Sequence, residues 1–329
     1  MRAAAIVNGN ARRLRDRLRT RLDRALPGAV SFTHSLDAAR EAIRTEIARG
    51  VDLLVLGGGD GTFVMGLTLI EEACRGAGRP EPAIGVLRLG AANTIADAAG
   101  ASDDAAADLA RLARGEGTWR AMAMLRVLGV RAPLVGVGAG AQLLEDRAAV
   151  DRIVERVPVA RRFAGDRTRA ALSMMVRSMP RLAGAARPRA VISNLGSPAI
   201  ELVRGSPTGR ELARGATLWS GACTLIAGAA IPHFGLGSRV SGLAEAPVDR
   251  FRLRCGEVGL RALLRGTPGA PDGRTFAETS GYFFCDHVQI QLDTEAAIEA
   301  GGELLGRRRE VELTIGDPVT LVALARDPH

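Results

Sequence analysis

The stretch from Val51 to Thr62 constrains this chain more than any other. Val51-Asp52-Leu53-Leu54-Val55-Leu56 places five apolar residues in six, and the run stops on Gly57-Gly58-Gly59-Asp60-Gly61-Thr62. An apolar run of this length, interrupted only by Asp52, predicts a parallel strand buried on both faces. Its C-terminal end opens into a loop, and residues 63–73 predict the helix that follows. In open α/β sheets ligands sit at such strand ends. Glycines let backbone N–H groups approach a phosphate, a helix start adds the positive end of a dipole, and Asp60 supplies a carboxylate for a metal or a proton.

The surrounding sequence repeats the strand and helix alternation. Ala3-Ala4-Ala5-Ile6-Val7 ends on the turn signal Asn8-Gly9-Asn10 and predicts a strand over residues 2–7. Over residues 12–26, Leu14, Leu18, Leu22 and Leu26 recur four apart on a cationic helix, read as a solvated element. Residues 30–33 predict a second strand and residues 36–49 a helix, with Ser35 as its N-cap. One unit after the central strand, residues 83–87 predict another, running into a second glycine loop, Leu87-Arg88-Leu89-Gly90-Ala91-Ala92-Asn93-Thr94. This alternation predicts a doubly wound, nucleotide-binding α/β domain over residues 1–118.

Residues 101–114 predict a surface helix, and Gly115-Glu116-Gly117-Thr118 a hinge. Short strands then replace the alternation, over residues 122–128, 133–137, 282–292 and 308–322. They predict a second, mainly β domain over residues 119–315.

The pair of glycine loops resembles the catalytic domain of the diacylglycerol kinase family, bacterial and eukaryotic lipid kinases. The likeness spans nearly the whole chain and is sharpest at Gly57 to Thr62, then at Leu89 to Asn93 and at Gly235 to Gly237. It implies Mg²⁺·ATP-dependent phosphorylation of a lipid hydroxyl, diacylglycerol or a related lipid, with residues 119–315 as a sandwich-like substrate domain and residues 316–329 returning to complete the first domain. It also implies a nucleotide site at Asn8, Gly57, Gly58, Gly59, Asp60, Gly61, Thr62, Gly90 and Asn93. The family's Asp-Gly-Glu turn, whose aspartate is the proposed general base, aligns with Gly301-Gly302-Glu303. By this resemblance Asp60 and Glu303 are the catalytic and metal-binding residues, and Gly301 removes the expected proton acceptor. Further departures are Gly9 and Arg88 in place of prolines, Ala91 and Ala92 in place of threonine and glycine, and Thr94 in place of aspartate.

Composition narrows the partners. The net charge is +8 and every basic residue is arginine, which favours anionic partners and carries the imprint of a GC-rich genome. Aromatic residues make up only 3%, too few for base-stacking platforms, so nucleic acid is not an expected partner. Cys74, Cys223, Cys255 and Cys285 lack metal-ligand spacing and read as reduced thiols. No run reaches the roughly 18 apolar residues of a membrane span. The expected location is cytoplasmic, with peripheral contact at an anionic inner membrane face, and a homodimer is left open.

Three other features have two readings each. Gly136 to Gly140 is a Gly-x-Gly-x-Gly run without the rest of a dinucleotide-binding unit, so a glycine-containing strand end is preferred. Residues 166–179 predict an amphipathic helix on which Leu172, Met175, Val176 and Met179 form a stripe, read first as core and second as an interfacial element among Arg161, Arg162, Arg167, Arg169, Arg177 and Arg181. His233 stands in a motif-like segment, where a core or turn role is preferred. For the chain as a whole, a non-catalytic nucleotide- or lipid-binding relative and an NAD kinase, which shares Gly-Gly-Asp-Gly, stand as alternatives to the lipid kinase.

Overall fold

The computed structural model describes residues 1–90, 93–156, 169, 172–180, 188–203, 206–231, 246–257 and 280–324. The chain forms an N-terminal α/β domain followed by a mostly β domain. Two compact units emerge: residues 1–124, 130–133 and 316–329 make the first, and residues 125–129 and 134–315 the second.

In the first unit β3 (Leu53–Gly58) is the predicted central strand, with all six residues buried. It lies between β1 (Ala3–Asn8) and β4 (Ala83–Arg88), parallel to both, with Ala3 opposite Leu53 and Leu53 opposite Ala83. β2 (Val30–Thr33) pairs with β1, and Leu321 near the end of β16 (Glu303–Ala323) pairs in parallel with Ile84. Strand neighbours on both sides satisfy the backbone of β3, and helices on both faces account for its apolar character.

One face is covered by α1 (Asp16–Ala25) and α5 (Ala105–Ala113). Leu22, Leu109 and Leu112 join Ala5, Val7, Leu53, Val55 and Leu87 in a single core. The expected surface helix at residues 101–114 is therefore a packing element: Leu109 and Leu112 are buried and even Asp108 is, its carboxylate taken up by Ser102 N (2.7 Å) and Ser102 Oγ (3.0 Å). The helix over residues 12–26 starts later than its periodicity suggests, at Asp16, with Leu14 buried in the preceding turn. On the other face lie α2 (Leu36–Ala48), whose cap Ser35 Oγ accepts from Ala38 N at 3.1 Å, and α3 (Asp60–Ala77), which ends on Gly78 in the left-handed region. Arg131 is 2% exposed between two carboxylates, Glu71 at 3.0 Å and Glu81 at 2.7 Å.

The second unit is built around β15 (His287–Ala300), a strand shared by two stretches of sheet. Its first half pairs with β8 (Arg189–Asn194), and Ile298 to Ala300 pair with β7 (Leu134–Gly138). From β7 the antiparallel order continues through β12 (Leu225–Ala229), β13 (Phe251–Gly256), β14 (Ser280–Cys285) and β9 (Ala199–Val203) to β10 (Ser206–Leu212). The predicted strand over residues 282–292 is thus two strands broken at Asp286. Gly136 to Gly140 joins β7 to α6 (Ala139–Arg156). A Cβ at Gly136 would lie 2.6 Å from Glu299 Oε1, and one at Gly138 would lie 2.6 Å from Thr224 O. The run serves packing in an antiparallel sheet, so no dinucleotide-binding unit forms here.

The four cysteines are free and buried, and burial pushes the Cys74 and Cys223 thiols up to about 11. No described helix is long and apolar enough to cross a membrane.

Candidate active site

The C-terminal ends of β1, β3 and β4 lie side by side, so Asn8, Gly58 and Arg88 come together from distant parts of the sequence. Each glycine of the first loop admits a particular neighbour. A Cβ on Gly57 would stand 3.0 Å from Val7 Cγ2, and one on Gly58 would fall 2.4 Å from Thr62 Cβ. One on Gly59 would reach 3.3 Å from Gly90 Cα. The tightest position is Gly90, whose Cβ would be 2.3 Å from Gly59 Cα and 2.9 Å from Gly59 N. The two glycine loops therefore touch backbone to backbone, and Leu89 N donates to Gly58 O at 3.1 Å.

Side chains lock this contact. Asn93 is fully buried with φ 54°, a left-handed conformation that asparagine tolerates. Its Oδ1 accepts from Gly90 N and its Nδ2 donates to Gly90 O, both at 2.7 Å. Asn93 thus shapes the second loop from within. Asp60 stands on the first turn of α3, and its two oxygens accept from Thr94 N (3.0 Å) and Ile95 N (2.9 Å) of α4 (Thr94–Ala98). The carboxylate so has a structural partner that its own sequence neighbourhood does not reveal. Asn8 completes the constellation: its Nδ2 donates to Thr62 Oγ1 at 3.2 Å, and its Oδ1 accepts from Asn10 N at 2.9 Å.

Asp60, Gly61 and Thr62 belong to the helix rather than to a loop, since α3 begins at Asp60 with Gly59 as N-cap. The first bond of the helix is from Phe63 N to Gly59 O, so the N–H groups of Asp60, Gly61 and Thr62 precede it. Such groups suit an anion with several oxygens, and the dipole of α3 adds to their pull. Among the described residues no three His, Cys, Asp or Glu side chains are grouped to hold a metal alone. A single carboxylate beside a phosphate cradle suits Mg²⁺ that arrives with its phosphates, because that ion keeps few protein ligands.

Arg88, at the end of β4, forms an ion pair with Asp97 of α4 (2.7 Å) and lies 3.6 Å from Asp103, which Arg13 also binds at 2.7 Å. The Arg13 hydrogen bond, with the charge of Arg88, holds the Asp103 carboxyl below its ordinary range. This rim escaped the sequence reading, because nothing local to Arg88 signals a partner nine or fifteen residues away.

Glu303 belongs to the second unit. It opens β16 after a two-residue turn in which Gly301 and Gly302 have φ of 54° and 89°, the pattern of a type I′ hairpin. Burial raises the Glu303 carboxyl above its ordinary value, and among the described residues it makes no hydrogen bond or ion pair. Glu299, two residues before the turn, accepts from Gly302 N at 2.8 Å. Ala91, Ala92, His233 and Gly235 to Gly237 lie outside the described residues.

Part of the chain's sequence and its fold resemble known proteins. Residues 2–127 match the diacylglycerol kinase catalytic domain. That match contains Asn8, both glycine loops and Asp60. A diacylglycerol kinase from Bacillus anthracis str. Sterne superposes with a TM-score of 0.60 at 14% identity, over 98% of this chain and 96% of that one. A second protein of that strain, provisionally named a diacylglycerol kinase, gives 0.63 at 13% identity, over 98% and 96%. At such identity the likeness carries the fold alone. No curated protein is significantly similar to the chain in sequence. The similarity to the diacylglycerol kinase catalytic domain is thus carried by residues 2–127.

Proposed function

We propose that the protein transfers the γ-phosphoryl group of Mg²⁺·ATP to the hydroxyl of a diacylglycerol-like lipid. The observation that carries this reading is the backbone-to-backbone contact of Gly59 with Gly90, which sets the first turn of α3 beside a second loop tied down by Asn93. Phosphoryl transfer asks a protein mainly to position groups and to stabilise charge. The N–H groups of Asp60, Gly61 and Thr62 would bind phosphate oxygens, and Asn8 would keep Thr62 in place. Asp60 would hold Mg²⁺, which supplies charge neutralisation at the transferring phosphoryl group when bound.

Proton removal is the weak step. The type I′ turn carries Gly301 where the family it resembles has an aspartate, and a general base is worth roughly 10²–10⁴-fold. Asp60, on the first turn of α3 in the same unit as both glycine loops, is the alternative acceptor. Slow but real turnover follows from this reading. An ATP-dependent transfer assay over a panel of diacylglycerol, related lipids in mixed micelles and NAD tests it. Phosphorylated lipid supports the proposal; phosphorylated NAD would replace it with an NAD kinase, and tight ATP binding without any product would leave a non-catalytic relative.

A further inference from the structure

The helical segment 172–180 of the second unit is turned inside out. Ser173 and Ser178 are buried, at 3% and 1% exposure, whereas Leu172, Met175 and Val176 stand at 39%, 62% and 61%. Three of the four residues of the expected core stripe are therefore on the surface, and Met179 is half-buried. Polar contacts fix this orientation: Ser178 Oγ donates to Asp146 Oδ2 at 3.0 Å, and Arg177 Nε lies 3.6 Å from Asp146 Oδ1. Asp146 itself is wholly buried on α6. A π-helical turn, Met174–Ser178, shifts the register within the segment. A helix that faces water shows the reverse pattern, apolar within and polar without.

The end of α6 is its neighbour, since Arg152 and Arg177 line one cavity of about 370 Å³ together with Asp146 and Arg307. Beside Arg152 stands Ile153, 55% exposed. Arg152 donates through Nε to Ala148 O at 3.3 Å, and Arg156 makes no hydrogen bond or ion pair among the described residues. Arg169 and Arg177 instead face inward, to Asp151 and Asp146. Arg161, Arg162, Arg167 and Arg181 lie outside the described residues.

The sequence supplies the second observation. Residues 152–189 hold ten arginines and only two acids, Glu155 and Asp166, an excess of +8 equal to the net charge of the whole chain, so the remaining residues balance to zero. Exposed apolar side chains within a segment this cationic match one surface chemistry. Acyl chains would receive Leu172, Met175, Val176 and Ile153, and phosphate headgroups would receive Arg152 and Arg156. A second copy of the chain would bring the same excess of positive charge against it. Nucleic acid would gain nothing from exposed Met and Val side chains and would find few aromatic rings to stack on.

We infer that the exposed ends of α6 and of the 172–180 helix dock the protein on an anionic bilayer surface. The inference rests on the lipid-kinase reading for its purpose and adds the means by which a chain of this kind reaches a substrate held in a membrane. The test uses the full chain, without ATP, sedimented with phosphatidylcholine vesicles that contain or lack roughly a third phosphatidylglycerol. Binding is expected to be at least about tenfold stronger to the anionic vesicles, and to fade as salt shortens the Debye length from about 10 Å at 0.1 M to about 3 Å at 1 M. The double variant Met175→Glu/Val176→Glu should lose about tenfold in affinity with an unchanged circular dichroism spectrum, and Arg152→Glu/Arg156→Glu should lose binding mainly at low salt. Val203→Glu, at another exposed apolar site of the same unit, should bind as wild type.

Equal binding to neutral vesicles would overturn the inference, as would wild-type affinity in the Met175/Val176 variant. A wild-type dimer that this variant dissociates would assign the stripe to a second copy instead. Vesicle binding without lipid phosphorylation would leave the surface standing and remove the kinase reading. Phosphorylation of micellar diacylglycerol by a protein that ignores anionic vesicles would do the opposite.

Discussion

Replacing Gly90 by alanine tests the backbone contact on which the candidate site depends. The added methyl would lie 2.3 Å from Gly59 Cα and 2.9 Å from Gly59 N, where ordinary contact begins near 3.4 Å. Both obstacles are main chain, so no side chain can rotate away, and the two loops must part by about 1 Å at a cost of about 1–3 kcal/mol. Asn93 resists that movement through its two 2.7 Å bonds to Gly90, and its own side chain would lie 3.1 Å from the new methyl. For a unit of this size the melting temperature should fall by about 2–4 °C per kcal/mol. A displacement of about 1 Å at a phosphate cradle should also weaken turnover by about 10²-fold. The geometry supplies its own control, because alanine at Gly59 meets Gly90 Cα at a tolerable 3.3 Å, and Gly59 has an ordinary extended backbone. Thermal unfolding and ATP titration of both variants would measure the asymmetry. If Gly59→Ala is the more damaging of the two, or Gly90→Ala melts and binds as wild type, the loops do not meet as described.

Three more outcomes follow from the same structure. Asp60→Asn should abolish Mg²⁺·ATP-dependent transfer and also destabilise the protein by about 1–3 kcal/mol, because Thr94 N and Ile95 N each donate to a different carboxylate oxygen and the amide NH₂ that replaces one of them cannot accept; an unchanged melting curve would show that the cap on α4 is dispensable. Arg131→Met takes a buried guanidinium from Glu81 and from Glu71, which keeps Arg75 at 2.8 Å, and should cost about 3 kcal/mol, the low end for a broken buried pair since Glu71 retains that partner and Glu81 some solvent access; a denaturation midpoint equal to wild type would refute this. Glu303→Gln should stabilise the protein at neutral pH, where the wild type holds an unpaired, partly buried charge. Its folded carboxyl has a raised pKa, so wild-type stability is lost as pH rises through that value, and the advantage of glutamine should shrink as pH falls below it. A stability difference independent of pH would contradict the assignment.

Much of this molecule was legible along the chain. The apolar run ending on glycine specified β3 and its loop, since a strand buried on both faces needs no polar alternation and a helix start needs a break. The type I′ turn at Gly301-Gly302 and the cap at Ser35 are equally local, each set by the few dihedrals of its own residues. What the tertiary structure alone decided are the relations between distant segments. That Gly90 must be glycine because Gly59 lies against it, and that Asp60 caps a helix thirty-four residues later, depend on which strand ends become neighbours in the parallel sheet. The helices went the same way. Residues 105–113 and 172–180 both carry an apolar stripe, yet the first turns it into the core and the second turns it outward, because Asp146 draws Ser178 and Arg177 to the inner side. Periodicity reports that a helix has two faces; which of them is buried is settled by the partner that packs against it.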